Sequence, residues 1–143
     1  MTLPHDSADR TTARCRRTRP WWASLLLIAA TIALGLVLRL VPLGLPGFVV
    51  KYGGSLLWAL MIFWIVSAIL VSRPRIHPAP VALAIAFAVE FFKLVHTPWL
   101  DAFRTTTPGA LLLGRHFSIQ DLVAYTLAIA SGAMVDKVVS PPN

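Results

Sequence analysis

The chain has 143 residues, 57% of them hydrophobic and only 13% charged, with a mean hydropathy of +0.71, a formal charge of +7 and a pI near 10.8. That length allows one domain, and a soluble domain of this size cannot cover so much apolar surface with so few charged side chains, so membrane residence is the expected class. A single cysteine, Cys15, excludes an internal disulfide framework and a multi-cysteine metal site.

Residues 1–20 are polar and carry Arg10, Arg14, Arg16, Arg17 and Arg19, five of the thirteen basic residues. Without apolar periodicity they read as a disordered basic cytoplasmic tail. Beside a hydrophobic span these arginines set orientation, and no nucleic-acid partner is expected because no aromatic residues are interleaved with them. Arg16-Arg17 do not make an export signal, since the uncharged run 21–38 is longer than a signal core and further spans follow it.

A first span is expected over 21–41, about 30 Å long at 1.5 Å per residue, which matches a hydrocarbon core. Trp21 and Trp22 sit where an interfacial aromatic belt lies, and Arg39 near the far end can snorkel outward. Pro42 to Gly47 is a tight turn on proline and glycine grounds. The second span, 52–71, has no charge, and Trp58 and Trp64 inside it are expected to pack against other helices. The basic, proline-broken loop containing Arg73, Arg75 and His77 belongs on the cytoplasmic side.

The third span begins near Pro80, a favoured first-turn position, and has only ten uncharged residues before Glu90. It must carry Glu90 and Lys93 into the membrane before Pro98 breaks it after Thr97. Segment 99–115 is too short in its apolar part to span, and Thr105 to Gly109 is expected to be non-helical, so the segment reads as interfacial or re-entrant. A fourth span is expected over 117–135, with Asp121 one turn in and Ala124, Ala128 and Gly132 on one small-residue stripe. The expectation is an all-α integral membrane bundle of four transmembrane helices over 21–136, with the interfacial or re-entrant segment between helices 3 and 4 and a short tail over 137–143. Both termini fall on the cytoplasmic side of a bacterial inner membrane, with eight basic residues inside and five outside.

The charged residues of the second half are the candidate site. On a helix ending near Thr97, Glu90 lies about 10 Å below that end, and Asp121 lies about 6 Å below Phe117, so the two carboxylates share one depth. A charge at the bilayer centre costs roughly 2.5 to 3.5 kcal/mol, which calls for partners. Arg104 and Arg115 are the natural ones, with Arg39 arriving from the first helix. The expected cluster is Arg39, Glu90, Lys93, Asp101, Arg104, Arg115 and Asp121. Adding Lys51, the outer side carries a net charge of +2, which favours an anionic headgroup or lipid phosphate.

Two other readings stand beside that one. The charges neutralise one another and fix helix register, or Glu90 is a proton-coupled site, because burial disfavours the charged form of a carboxylate. Transport by so few helices needs a homo-oligomer, packed along the 124/128/132 stripe. His5, His77, His96 and His116 lack metal-ligand spacing, so no metal or cofactor is expected. Ser55 follows Gly53-Gly54, but no histidine is placed by motif to activate it, and there is neither a phosphate-cradling glycine loop nor a nucleophile elbow. A non-enzymatic protein surrounded by membrane lipids, with an anionic lipid as ligand, is favoured.

The run Glu90-Phe-Phe-Lys-Leu94, then His96-Thr-Pro-Trp-Leu-Asp101, Arg104, Gly109, Leu113-Gly114, Phe117 and Asp121 to Tyr125, resembles the small bacterial membrane proteins catalogued as domain of unknown function 2809. Arg39-x-x-Pro42 and Gly54-Ser-Leu-Leu-Trp58-Ala59 fit the same pattern, so the resemblance covers about 21–135. Lys93 stands where that family usually has glutamine, Ser55 where an aspartate is common, and Ile119 where a tryptophan is common. The first two changes add about +2 to the cluster. A helix glutamate, a loop arginine and an aspartate opening the last helix are also distantly similar to VanZ-like membrane proteins. The resemblance implies a four-helix inner-membrane protein and no defined activity.

Overall fold

The computed structural model describes residues 20–70, 77–114 and 116–139. The N-terminal tail, the loop arginines Arg73 and Arg75, and Arg115 lie outside the described residues. Among those described, the chain is all-α: α1 (Trp21–Leu40), α2 (Gly47–Ile69), α3 (Pro78–Phe92), α4 (Pro98–Thr105), α5 (Thr107–Leu112) and α6 (Ile119–Val139). Two of these, α1 and α2, are long and apolar enough to cross a membrane.

Prolines punctuate the fold as their geometry requires. Pro20 and Pro46 are extended residues just ahead of α1 and α2, and Pro78, Pro98 and Pro108 occupy first-turn positions of α3, α4 and α5, where no intrahelical N–H is needed. Thr97, preceding Pro98, is held extended at φ −137° and ψ 147°, because the proline ring disfavours helical backbone in the residue before it.

Two expectations fail here. The third helix ends at Phe92 rather than Thr97, so Glu90 belongs to its last turn instead of lying well below its end. The segment after Thr105 is helical: Pro108 suits the first turn of α5, and the Thr106 hydroxyl accepts a hydrogen bond from the Gly109 N–H at 3.2 Å, satisfying one of the donors a helix start leaves open. The fourth helix begins two residues later and runs further than expected, to Val139.

The core lies between α2, α3 and α6. Ala59, Phe63, Trp64 and Val66 of α2 meet Ala82 and Ala86 of α3 and Tyr125, Ala128 and Ile129 of α6. Alanines on α3 and α6 let those helices approach, and the α2 aromatics fill the space between them. As expected from its position within a span, Trp64 is buried. The stripe of Ala124, Ala128 and Gly132 is also buried, and a Cβ on Gly132 would come within 2.8 Å of the Phe63 ring. That stripe is therefore consumed inside the molecule. α1 packs chiefly on α2, with Leu27 and Ile28 against the edge of this core.

Candidate functional site

The last turn of α3 and the first turn of α6 bring Glu90, Lys93 and Asp121 together. Glu90 is 0% exposed. Its Oε2 accepts from Lys93 Nζ at 2.5 Å and from the Tyr125 hydroxyl at 2.8 Å, and its Oε1 accepts from the Ser118 N–H at 2.8 Å. Lys93 Nζ also lies 3.7 Å from Asp121 Oδ2, while the Ser55 hydroxyl is 3.1 Å from Asp121 Oδ1. Helices α2, α3 and α6 are thus joined through one polar centre. Burying these charges is tolerable only because each carboxylate has donors.

Gly114 closes the centre from outside. Its φ of +68° is a left-handed conformation that favours glycine, and a Cβ there would come within 2.9 Å of the Lys93 side chain. The remaining void, lined by Ser55, Trp58, Lys93, Leu111 and Tyr125 among others, measures about 40 Å³. That volume admits water but not a lipid headgroup. Two carboxylates against one ammonium give the centre a formal charge of −1, opposite in sign to the positive site expected from the sequence.

Asp101 and Arg104 form a second group. Arg104 is 3% exposed and donates from Nη1 to the Val95 carbonyl at 2.8 Å and from Nη2 to the Phe92 carbonyl at 2.9 Å. Asp101 Oδ1 accepts from Arg104 Nη1 at 3.3 Å and lies 3.2 Å from His96 Nδ1. Arg104 therefore does not pair with Glu90. Its planar fork holds the Phe92 carbonyl at the end of α3, which also accepts from the Val95 N–H, and the Val95 carbonyl just beyond it, where a cation complements the helix dipole.

Arg39 lies apart from both groups. It is exposed and stands at one end of a cleft of about 330 Å³ between α1, α2 and α5. Thr31, Gly35 and Leu36 of α1, Gly54, Trp58 and Met61 of α2, and Leu111 and Leu112 of α5 are among its walls. Among the described residues Arg39 has no carboxylate partner. At the other end, the Thr31 hydroxyl is engaged by its own helix, at 2.9 Å from both the Leu27 and Ile28 carbonyls.

Of the seven charged residues singled out in the sequence, the structure gathers Glu90, Lys93 and Asp121, places Asp101 and Arg104 in a neighbouring group, and sets Arg39 in a separate cleft; Arg115 lies outside the described residues. Tyr125 was not foreseen, although it follows Asp121 by one helical turn and so shares its face. Trp58, half-buried and 5.4 Å from the Tyr125 ring, was expected to pack, but not to form a wall common to both the polar void and the apolar cleft.

The class these features define is an all-α protein with apolar helices of membrane-spanning length and a buried ion-paired centre. The chain belongs to the family described as "Protein of unknown function (DUF2809)", which it matches over residues 44–129. That segment includes the polar centre and the Arg104 group, while α1 with Arg39 precedes it. No solved structure matches the chain. Within the matched segment, Ser55 and Lys93 both reach Asp121.

Proposed function

We propose that this is a four-span protein of the bacterial inner membrane that binds an anionic lipid-like ligand, with both termini cytoplasmic. The observation that carries the ligand reading is Arg39, a cation without a carboxylate partner among the described residues, at one end of an apolar cleft. Lys51 lies near the start of α2, the helix that pairs with α1 and begins beside the Arg39 end, and adds to the positive charge there. An anion attached to an apolar body satisfies both parts of the cleft.

Support for the membrane arrangement comes from the helices and their surfaces. α1 and α2 have the required length and hydropathy, and α6 has 21 residues. α3 has 15 residues, about 22 Å, which is shorter than the hydrocarbon core; the chain from Lys93 through α5 makes up the difference at the outer interface. There Trp99 is exposed, as suits an interfacial aromatic. The alternative, an oligomeric ion- or proton-coupled transporter, draws no support from the Ala124/Ala128/Gly132 stripe, which packs against α2.

Native mass spectrometry of the full chain released from mild detergent tests the ligand reading. Anionic phospholipid is expected to be retained over zwitterionic phospholipid, with the preference lost in Arg39→Ala. Equal retention of both by the unaltered protein would sink the proposal.

A further inference from the structure

The proposed anionic-lipid reading leaves open what kind of amphiphile the cleft takes, and its dimensions carry the answer further. On α1 the walls run from Thr31 to Arg39 and on α2 from Gly54 to Met61. Eight and seven residues correspond to about 12 and 10 Å along the helix axes. That is close to, and slightly less than, half of a roughly 30 Å hydrocarbon core. The volume of about 330 Å³ lies at the lower end of the range for small-molecule sites, about 300 to 1,000 Å³.

Polarity runs along the same axis. Arg39 marks the end nearest the α1–α2 turn, and the deep end is Thr31 and Met61, where the only hydroxyl is engaged by its own helix. Two glycines supply the room. A Cβ on Gly54 meets nothing within 4 Å, and one on Gly35 meets only Leu57 Cβ at 3.9 Å. Neither glycine is therefore required for helix contact; both leave space in the cleft.

We infer that the cleft is a site for one acyl chain of an anionic, single-chain amphiphile, with its headgroup at Arg39 and its chain running toward Thr31 and Met61 within one leaflet. Gly54 determines chain entry, and Met61 limits chain length. This rests on the anionic-ligand reading for the headgroup alone; the chain site stands on the shape of the cleft.

The full chain in detergent is titrated with three probes: lysophosphatidylglycerol, phosphatidylglycerol and lysophosphatidylcholine, each followed by native mass spectrometry. The unaltered protein is expected to prefer the first over both others by about tenfold or more. Gly54→Leu fills open space and removes a helix-interior glycine, so it should lower lysophosphatidylglycerol retention by about tenfold with the melting temperature kept or raised. Met61→Ala deepens the cleft and should shift the preferred lysophosphatidylglycerol chain toward longer ones, an outcome that stays readable if the leucine variant does not fold. The chain site is overturned if the two-chain anionic lipid binds as well as the single-chain one, or if Gly54→Leu folds and binds unchanged, or if Met61→Ala leaves chain preference unaltered. Equal binding of lysophosphatidylglycerol and lysophosphatidylcholine, with Gly54→Leu still lowering both, overturns the anionic reading and leaves the chain site standing.

Discussion

The polar centre around Glu90 and the cleft beside Arg39 share the walls Trp58, Leu111 and Leu112, yet they are built on opposite principles. In the centre each carboxylate oxygen has a donor or an ammonium nearby, and the adjoining void is about 40 Å³. In the cleft a single exposed cation faces about 330 Å³ of mostly apolar space. The comparison teaches that the densest charge marks where three helices are fastened together, whereas ligand-sized room lies where charge is sparse. A buried ion pair whose partners already satisfy one another has little left to offer a ligand.

The comparison can be broken most forcefully at Glu90. Glu90→Ala leaves a buried ammonium, a tyrosine hydroxyl and a backbone N–H without their shared acceptor, and is expected to cost roughly 3 to 5 kcal/mol. Thermal unfolding in detergent should show a large drop; a melting temperature within a degree or two of the parent would mean the centre fastens nothing. Arg104→Ala removes two hydrogen bonds to the end of α3 and should cost about 2 to 3 kcal/mol. Faster hydrogen exchange around residues 92–97 is its signature, and Arg104→Lys should not restore protection, since an ammonium lacks the two-pronged fork.

Gly109→Ala is expected to be comparable or smaller, about 1 to 3 kcal/mol, because its Cβ would fall 2.0 Å from the Phe103 carbonyl oxygen and the α4–α5 unit must open. Enhanced proteolysis within 103–112 would register it, and unchanged cleavage would contradict the close packing. Tyr125→Phe deletes one of the three donors to Glu90 at a cost of about 1 kcal/mol, measurable as a modest fall in melting temperature. Arg39→Ala closes the series from the other region: stability should be unchanged, while the preference for anionic lipid disappears. A marked loss of stability in that variant would move Arg39 from the cleft's chemistry to the fold's.

Much of the centre was legible in the sequence. Glu90 and Lys93 are three residues apart, a spacing that puts them on one helix face, and Asp121 near the start of the last helix was expected at the same depth. Arg104 was legible as a buried partner but not as a partner of backbone: its acceptors, the Phe92 and Val95 carbonyls, lie where α3 stops at Phe92 and the chain turns toward Pro98. Helix ends are set by competition among proline geometry, capping groups and tertiary contacts, and a residue pattern resolves them poorly. The cleft was not legible, because its walls come from α1, α2 and α5 and carry no shared spacing in the chain.

Composition and apolar run length determined by themselves that the chain is helical, with segments long and apolar enough for a membrane, since these follow from properties summed over many residues. Helix periodicity also determined the Glu90–Lys93 pair, a contact between near neighbours. The tertiary structure alone decided that the six described residues of the expected charged cluster do not act as one, that the small-residue stripe faces inward, and that Arg39 stands beside open apolar space. Each of those depends on the relative placement of helices far apart in sequence. Their side chains meet through packing, and packing is settled only when the α2, α3 and α6 surfaces are fitted together.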